Sequence, residues 1–257
     1  MIVPKEKQYP NTKISIVLLT CNRKDNTKET IDQLYKRVKY PEKIHLIVVD
    51  NNSVDGTYKL LQEYKEKGMV DVLISSPDDS TISESYNIGF KCVESEYWIA
   101  QQDDITIPKL EPKDVIEQLI DLMEKYPKQV GIGLRIQRIP NLSLKNGNSD
   151  LIPARKSLSA YFRIQTKEDF IRMGMLNPKK IWDDVNFQMR VRGVLEKDCS
   201  WTRNIYADHS RGYCKDRGYL VKPRKWGTGI HSREHQDWID RPYPEINPIT
   251  NIPINKK

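Results

Sequence analysis

The chain contains no apolar run near the roughly 20 residues that a membrane-crossing helix needs, and its opening MIVPKEKQYP lacks the apolar segment of a secretory leader. The expectation is a cytoplasmic protein without a transmembrane segment. Cysteine is scarce: Cys21, Cys92, Cys199 and Cys214 lie far apart, with no C-x-x-C pair. That spacing argues against a zinc or dithiol site and for reduced thiols. No internal repeat is visible. What remains is ordinary for a soluble globular protein, 38% hydrophobic and 30% charged, and 257 residues suffice to bury a substantial core.

The net charge of +7 is unevenly spread. Residues 1–132 hold 18 Lys+Arg against 22 Asp+Glu, and residues 133–257 hold 24 against 13, so the halves carry −4 and +11. A basic half beside a slightly acidic one suggests two ligand surfaces, the second facing something anionic; a solvated lysine-rich surface is the plain alternative.

Short β-branched runs alternate with amphipathic stretches. Strands are expected at 14–19 (ISIVLL), 46–49 (LIVV), 70–74, 97–101 and 130–136, and helices at 27–38, 58–64, 83–93, 115–126, 167–175 and 184–192. Residues 141–150 (NLSLKNGNSD) read as a loop, and the Gly-, Pro- and Asn-rich stretch from 217 onward reads as irregular. Alternating strands and helices imply an α/β fold, a mainly parallel central sheet flanked by helices. Ligands of such sheets bind beyond the carboxyl ends of the strands, which is where Asp50 and the pair Asp103–Asp104 fall.

Three acidic positions stand out: Asp50 in VVDNNSVDGT, Asp103–Asp104 in QQDDITIP, and Asp183–Asp184 in IWDDVNFQMRVRG. Taken singly each has an ordinary explanation. Asp50 and Asp55 suit helix caps, Asp103–Asp104 suit a loop, and Asp183–Asp184 suit the positive end of a helix dipole. The adjacent pair at a buried strand end poses a sharper problem, because two carboxylates there repel unless a cation joins them.

The ordered set KISIVLLTCNR, LIVVDNNSVDGT, SESYNIGFK, YWIAQQDDITIP, IWDDVNFQMRVRG and IYADHSRG resembles family 2 glycosyltransferases of the GT-A fold, over roughly residues 13–212. The resemblance implies a nucleotide-sugar donor over the sheet, in a donor half at 1–110 and an acceptor half at 111–216, with 217–257 an irregular extension. It implies Thr20, Asn22 and Arg23 beside the base, with Asp50 accepting a hydrogen bond from a uracil imide and Asn51, Ser53 and Asp55 completing that pocket. Asn87 falls where the family places a polar residue near the donor. The family's Asp-x-Asp reads here Gln102-Asp103-Asp104, so its first acid is missing. Asp104 takes the place of a ligand to a divalent metal, Mn2+ or Mg2+, that bridges the donor phosphates and supplies the expected cation, with Asp103 secondary. His209 is a further candidate ligand.

Asp184 takes the place of the catalytic base of an inverting transfer, with Asp183 beside it to orient the acceptor; Arg190, on the same stretch, could bind a phosphate or pair with an acid. His231-Ser-Arg-Glu234-His235 matches H-x-x-E-H, but the tail around it argues against the supporting helix that a zinc-peptidase site needs. Between Arg203 and Lys225 seven basic residues and two acids are interleaved with Tyr206, Tyr213 and Tyr219, which suits an anionic acceptor. The leading expectation is a hydroxymethylated pyrimidine in DNA; the alternatives are a surface or lipid-linked glycan, or a non-catalytic nucleotide-sugar-binding module. Oligomeric state is not expressed in these patterns.

Overall fold

The computed structural model describes residues 2–76, 80–136, 149–154, 158, 162–177 and 183–208, with the backbone alone at 183–185. Its first half is a run of strand–helix units: β1 (Ile14–Thr20), α1 (Lys24–Arg37), β2 (Ile44–Asp50), α2 (Thr57–Glu66), β3 (Val72–Ser75), α3 (Ile82–Phe90) and β4 (Tyr97–Gln102). β1 and β2 read as unbroken apolar runs because both faces of the sheet are covered, and nearly every residue in them is buried. These four strands are parallel, in the order β3-β2-β1-β4.

The second half continues the same sheet with α4 (Val115–Lys125), β5 (Gln129–Ile136), β6 (Leu151–Pro153), β7 (Phe162–Thr166), α5 (Lys167–Arg172), α6 (Asp183–Leu195) and β8 (Asp198–Ala207). The full order is β3-β2-β1-β4-β7-β5-β8-β6, with β7 antiparallel to both β4 and β5 and β6 antiparallel to β8. The mainly parallel sheet is therefore mixed beyond β4. Strands β6, β7 and β8 were not expected from the sequence. On one face of β7 stand Arg163 and Gln165 and on the other Phe162 and Ile164, all fully buried, so a five-residue run with the alternation of a half-buried ribbon is covered on both faces. Glycines make the room: Gln165 pairs with Gly131 and Arg163 with Gly133. A Cβ at Gly131 would stand 3.4 Å from the Arg163 Cδ.

Two cores flank the sheet. One packs Ile31 and Leu34 of α1, Leu60 and Leu61 of α2 and Leu119 of α4 against Ile16, Leu18, Leu46, Val48 and Ile99. The other packs α3, α5 and α6 against Val17, Ile47, Trp98 and Ala100. Its centre is aromatic: Phe170 lies 4.6 Å from Phe90, 4.9 Å from Trp98 and 5.7 Å from Phe187, between ring centroids. These contacts tie α6 to α5 and, through Phe170 and Trp98, to the start of β4. Among the described residues no helix is long and apolar enough to cross a membrane.

The start of α3 is set by a capping box, Thr81 Oγ1 accepting from the Glu84 N–H at 3.1 Å and Glu84 Oε2 from the Thr81 N–H at 2.8 Å. The helix lies close on the sheet at Gly89, where a Cβ would stand 2.5 Å from Val17 Cγ1 and 2.9 Å from Val49 Cγ2. Gly89→Ala is expected to lift α3 off β1 and β2 and to destabilise the chain by about 1–3 kcal/mol, the usual cost of overpacking. Urea unfolding of wild type and variant checks this, and an unchanged midpoint contradicts the close approach.

Candidate active site

β1, β2 and β4 end level with one another, Thr20 paired with Asp50 and Leu19 with Gln102. The loops that follow them gather at one edge of the sheet. From β1 the chain crosses to β2 on one side, while β4 lies on the other, so a crevice opens between the ends of β1 and β4, the place where open α/β sheets bind ligands. Leu19, Thr20, Cys21, Arg23, Asn51, Ile82, Ser85, Gln102 and Asp103 line it.

Asp103, in the crevice lining, and its neighbour Asp104 are each 5% exposed. The cation that makes the pair tolerable is Arg23. Its Nη1 donates to Asp103 Oδ1 at 3.0 Å and to Asp104 Oδ2 at 2.8 Å, and the three side chains are almost wholly buried. Thr20 Oγ1 donates to Asp103 Oδ2 at 2.9 Å and lies 2.5 Å from Thr27 Oγ1, while Thr30 Oγ1 donates to the Asp103 carbonyl at 2.7 Å. Arg23 stands at the N-cap position of α1, and residues 23, 27 and 30 share one face of that helix, so α1 turns a guanidinium to both carboxylates, the Thr30 hydroxyl to the Asp103 carbonyl and the Thr27 hydroxyl to Thr20. Arg23, expected beside a nucleotide base, lies in the crevice lining and turns its guanidinium to the two carboxylates.

Burial pushes the Asp103 carboxyl up to about 6 against the pull of Arg23, and the neighbouring Asp104 adds to the rise. Elsewhere burial pushes the Cys199 thiol up to about 12, and Cys21, Cys92 and Cys199 are free thiols.

The residues expected in a base pocket are brought together by the two loops at the ends of β1 and β2. Asp50 Oδ2 accepts from the Ser53 N–H at 2.9 Å, the Asn22 N–H donates to Ser53 Oγ at 2.8 Å, and Asn22 Oδ1 accepts from the Val54 N–H at 2.7 Å. Asn22 and Asn52 hold left-handed backbone, φ 52° and 50°, which asparagine tolerates better than most residues. Asn51 faces the crevice, with Nδ2 donating to the Ser80 carbonyl at 3.0 Å.

Asp55 joins the same two loops at their helix starts. It accepts from the Lys24 N–H at 3.1 Å and from the Thr57 N–H at 3.0 Å, serving the first turns of α1 and α2. Asn87 exchanges two hydrogen bonds with the backbone of Leu176, at 2.7 and 3.0 Å, pinning α3 to the segment after α5. Arg190 is buried and donates to the carbonyls of Met173 and Met175 and, at 3.0 Å, to Asn186 Oδ1. The loop after α5 leaves those carbonyls without helical partners, and the guanidinium takes them up. Asp183 and Asp184 form the first turn of α6, and His209 and the H-x-x-E-H segment lie outside the described residues.

The family model for glycosyl transferase family 2 matches residues 15–196. The chain belongs to that family. No curated protein matches the sequence. Solved structures share the GT-A fold with this family 2 chain. The mannosyltransferase PcManGT from Pyrobaculum calidifontis, in complex with GDP-Man and Mn2+, aligns with a TM-score of 0.61 at 14% identity over 76% of this chain and 56% of that one. S. aureus TarS in complex with UDP-GlcNAc aligns at 0.58 and 16% identity over 77% and 58%. GalNAc-T7 with UDP, GalNAc and Mn2+ aligns at 0.62 and 12% over 79% and 44%. The family 2 chain thus spans less than two thirds of the length of these neighbours.

For a divalent cation the described residues offer the Asp103 and Asp104 carboxylates, both of which Arg23 engages. Among the described residues no group of three or more His, Cys, Asp or Glu side chains gathers. Gln102 replaces an acid, Asp103 accepts from both Thr20 and Arg23, and Asp104 accepts from Arg23. What was not foreseen is the partnership of Arg23 and Thr30 with the acids and of Thr27 with Thr20, and the exposed Ile82 at the crevice mouth. The signal for the first was present: a cation four and seven residues before two hydroxyls, in a chain whose acid pair needs one.

A carboxyl held above its unfolded value binds its proton more tightly in the folded chain, so Asp103 contributes stability at acid pH that is lost as pH rises through about 6. Thermal melts of wild type and Asp103→Asn from about pH 4 to about pH 7 check this. The difference between them should move in the variant's favour as pH rises; a constant difference rejects the assignment.

Proposed function

We propose that this family 2 chain is a glycosyltransferase that moves a sugar from a nucleotide-sugar donor, favoured to be a uridine diphosphate sugar, to an acceptor hydroxyl with inversion. The observation that carries the reading is the crevice between the ends of β1 and β4, where Thr20, Asn51, Gln102 and Asp103 meet at the sheet position suited to a nucleotide. Donor binding belongs to residues 1–110 and acceptor binding to 111–216, with 217–257 outside the described residues. Asp50, Asn22, Asn51 and Ser53 form the base end of the donor site and Asp103–Asp104 the diphosphate end. The acceptor oxygen bonds to the anomeric carbon as the bond from that carbon to the diphosphate oxygen breaks. The nucleoside diphosphate leaves, and the acceptor proton passes to the carboxylate of Asp184. A divalent cation, Mn2+ or Mg2+, enters this scheme only by taking Asp104 from Arg23.

Asp184→Asn is expected to leave nucleotide binding within about twofold while lowering transfer by about 10²–10⁴-fold, the usual contribution of a positioned base. Asp104→Ala, with Mn2+ present, is expected to lose metal-dependent donor binding. Calorimetry with uridine diphosphate and product detection by mass spectrometry over a panel of nucleotide sugars measure both. If neither substitution alters turnover, the site is elsewhere. The second reading, a non-catalytic nucleotide-sugar-binding module, is favoured by Gln102 standing in place of an acid; it gives donor binding with no transfer in wild type.

The acceptor is proposed to be anionic, from the net +11 of residues 133–257. A hydroxymethylated pyrimidine in DNA is the leading choice and a surface or lipid-linked glycan the alternative. For DNA, retention on a DNA column should fall steeply between low and moderate salt, as expected when several phosphates are contacted. Retention by anionic liposomes without retention on DNA selects the glycan-lipid alternative.

A further inference from the structure

We propose that Arg23 is the resident counter-cation of the Asp103–Asp104 pair, and that a divalent ion reaches Asp104 only in competition with it, so that Arg23 sets the metal affinity of the chain. The inference rests on the donor-site reading above and concerns the same edge of the sheet. One guanidinium nitrogen lies within hydrogen-bond distance of both carboxylates, at 3.0 and 2.8 Å, and all three side chains are between 5% and 7% exposed. Little water reaches the pair, so the charges are weakly screened, and a metal in contact with Asp104 would stand beside a like-charged guanidinium.

Arg23 is also held in place. It stands at the N-cap position of α1, whose first turn is fixed from outside by Asp55 Oδ2 on the Lys24 N–H at 3.1 Å, and Thr30 of the same helix grips the Asp103 carbonyl at 2.7 Å. The backbone that carries Arg23 and the backbone that carries the acids are thus joined independently of the ion pair. Gln102, at the end of β4, offers an amide where a further carboxylate would add metal affinity. With both acids ionised the cluster of Arg23, Asp103 and Asp104 has a net charge of −1, so it gives a nucleoside diphosphate no positive charge. An incoming divalent ion is favoured when the diphosphate supplies the ligands that this chain withholds. Metal binding without nucleotide is accordingly weak, and nucleotide strengthens it.

The experiment is Mn2+ binding to the full chain, followed by the electron paramagnetic resonance signal of free Mn2+, in wild type, Arg23→Gln and Arg23→Lys, each with and without uridine diphosphate. Without nucleotide, Arg23→Gln should bind Mn2+ at least about tenfold more tightly than wild type, the low end of coupling between close buried charges. Mn2+ should also raise its melting temperature more than that of wild type. Arg23→Lys should fall between them, since an ammonium is a point charge without the fork of a guanidinium. Adding Asp104→Asn to Arg23→Gln should remove the gain. Equal or weaker Mn2+ binding in Arg23→Gln, or in Arg23→Lys should the first variant not fold, overturns the proposal. If uridine diphosphate binds none of the chains while Mn2+ binding still follows Arg23, the donor reading fails and the competition stands.

Discussion

Two carboxylates at the end of a buried strand cannot be left without a cation, and the ion pairs from Arg23 to Asp103 and Asp104 meet that requirement at the crevice edge. Much of the local structure follows from it. The guanidinium comes from the cap of α1, so the helix must begin directly after β1 and lie over the end of β4. Thr20 donates to Asp103 Oδ2 and Thr30 to the Asp103 carbonyl, while Thr27 lies against the Thr20 hydroxyl. The pair is therefore fixed from two sides, by the sheet that bears it and by the helix that neutralises it.

The rest of the molecule holds that edge in position. The parallel strands β1, β2 and β4 bring three loops to one level, and the lacing of Asp50, Ser53, Asn22 and Val54 turns two of them into a single unit. On the opposite side of β4, the cluster of Phe90, Trp98, Phe170 and Phe187 joins α3, α5 and α6. Helices before and after β4 thus share one core.

Arginine recurs in this fold with different duties. Arg190 satisfies carbonyls after α5, and Arg163 donates to the Leu158 carbonyl at 2.6 Å and lies 5.3 Å from the Phe187 ring centroid. Neither shows its duty in the sequence, where each reads as one more basic residue in the basic half. The strands of the first half were legible because buried parallel strands are written as short β-branched runs, and the helices between them because their apolar residues recur at helical spacing. Strand β7 escaped because it is a run of only five residues whose polar members, Arg163 and Gln165, are buried opposite Gly131 and Gly133 on a neighbouring strand. Of the candidate site, the strand-end acids and the polar loops were legible by position, whereas Asp55 and Asn87 are committed to helix starts and to a backbone clamp.

By itself the sequence determined the strand–helix alternation, the edge at which Asp50, Asp103 and Asp104 meet, the departure at Gln102 and the family these motifs share. All are local: a run, a spacing or a residue at a strand end is complete within a dozen positions. Only the tertiary structure decided which cation answers the acid pair. Arg23 and Asp103 are 80 residues apart, and their contact exists because β1 and β4 are paired in a register that ends both strands level. A counter-charge is a property of distance in space, and the fold supplied it from the protein's own chain.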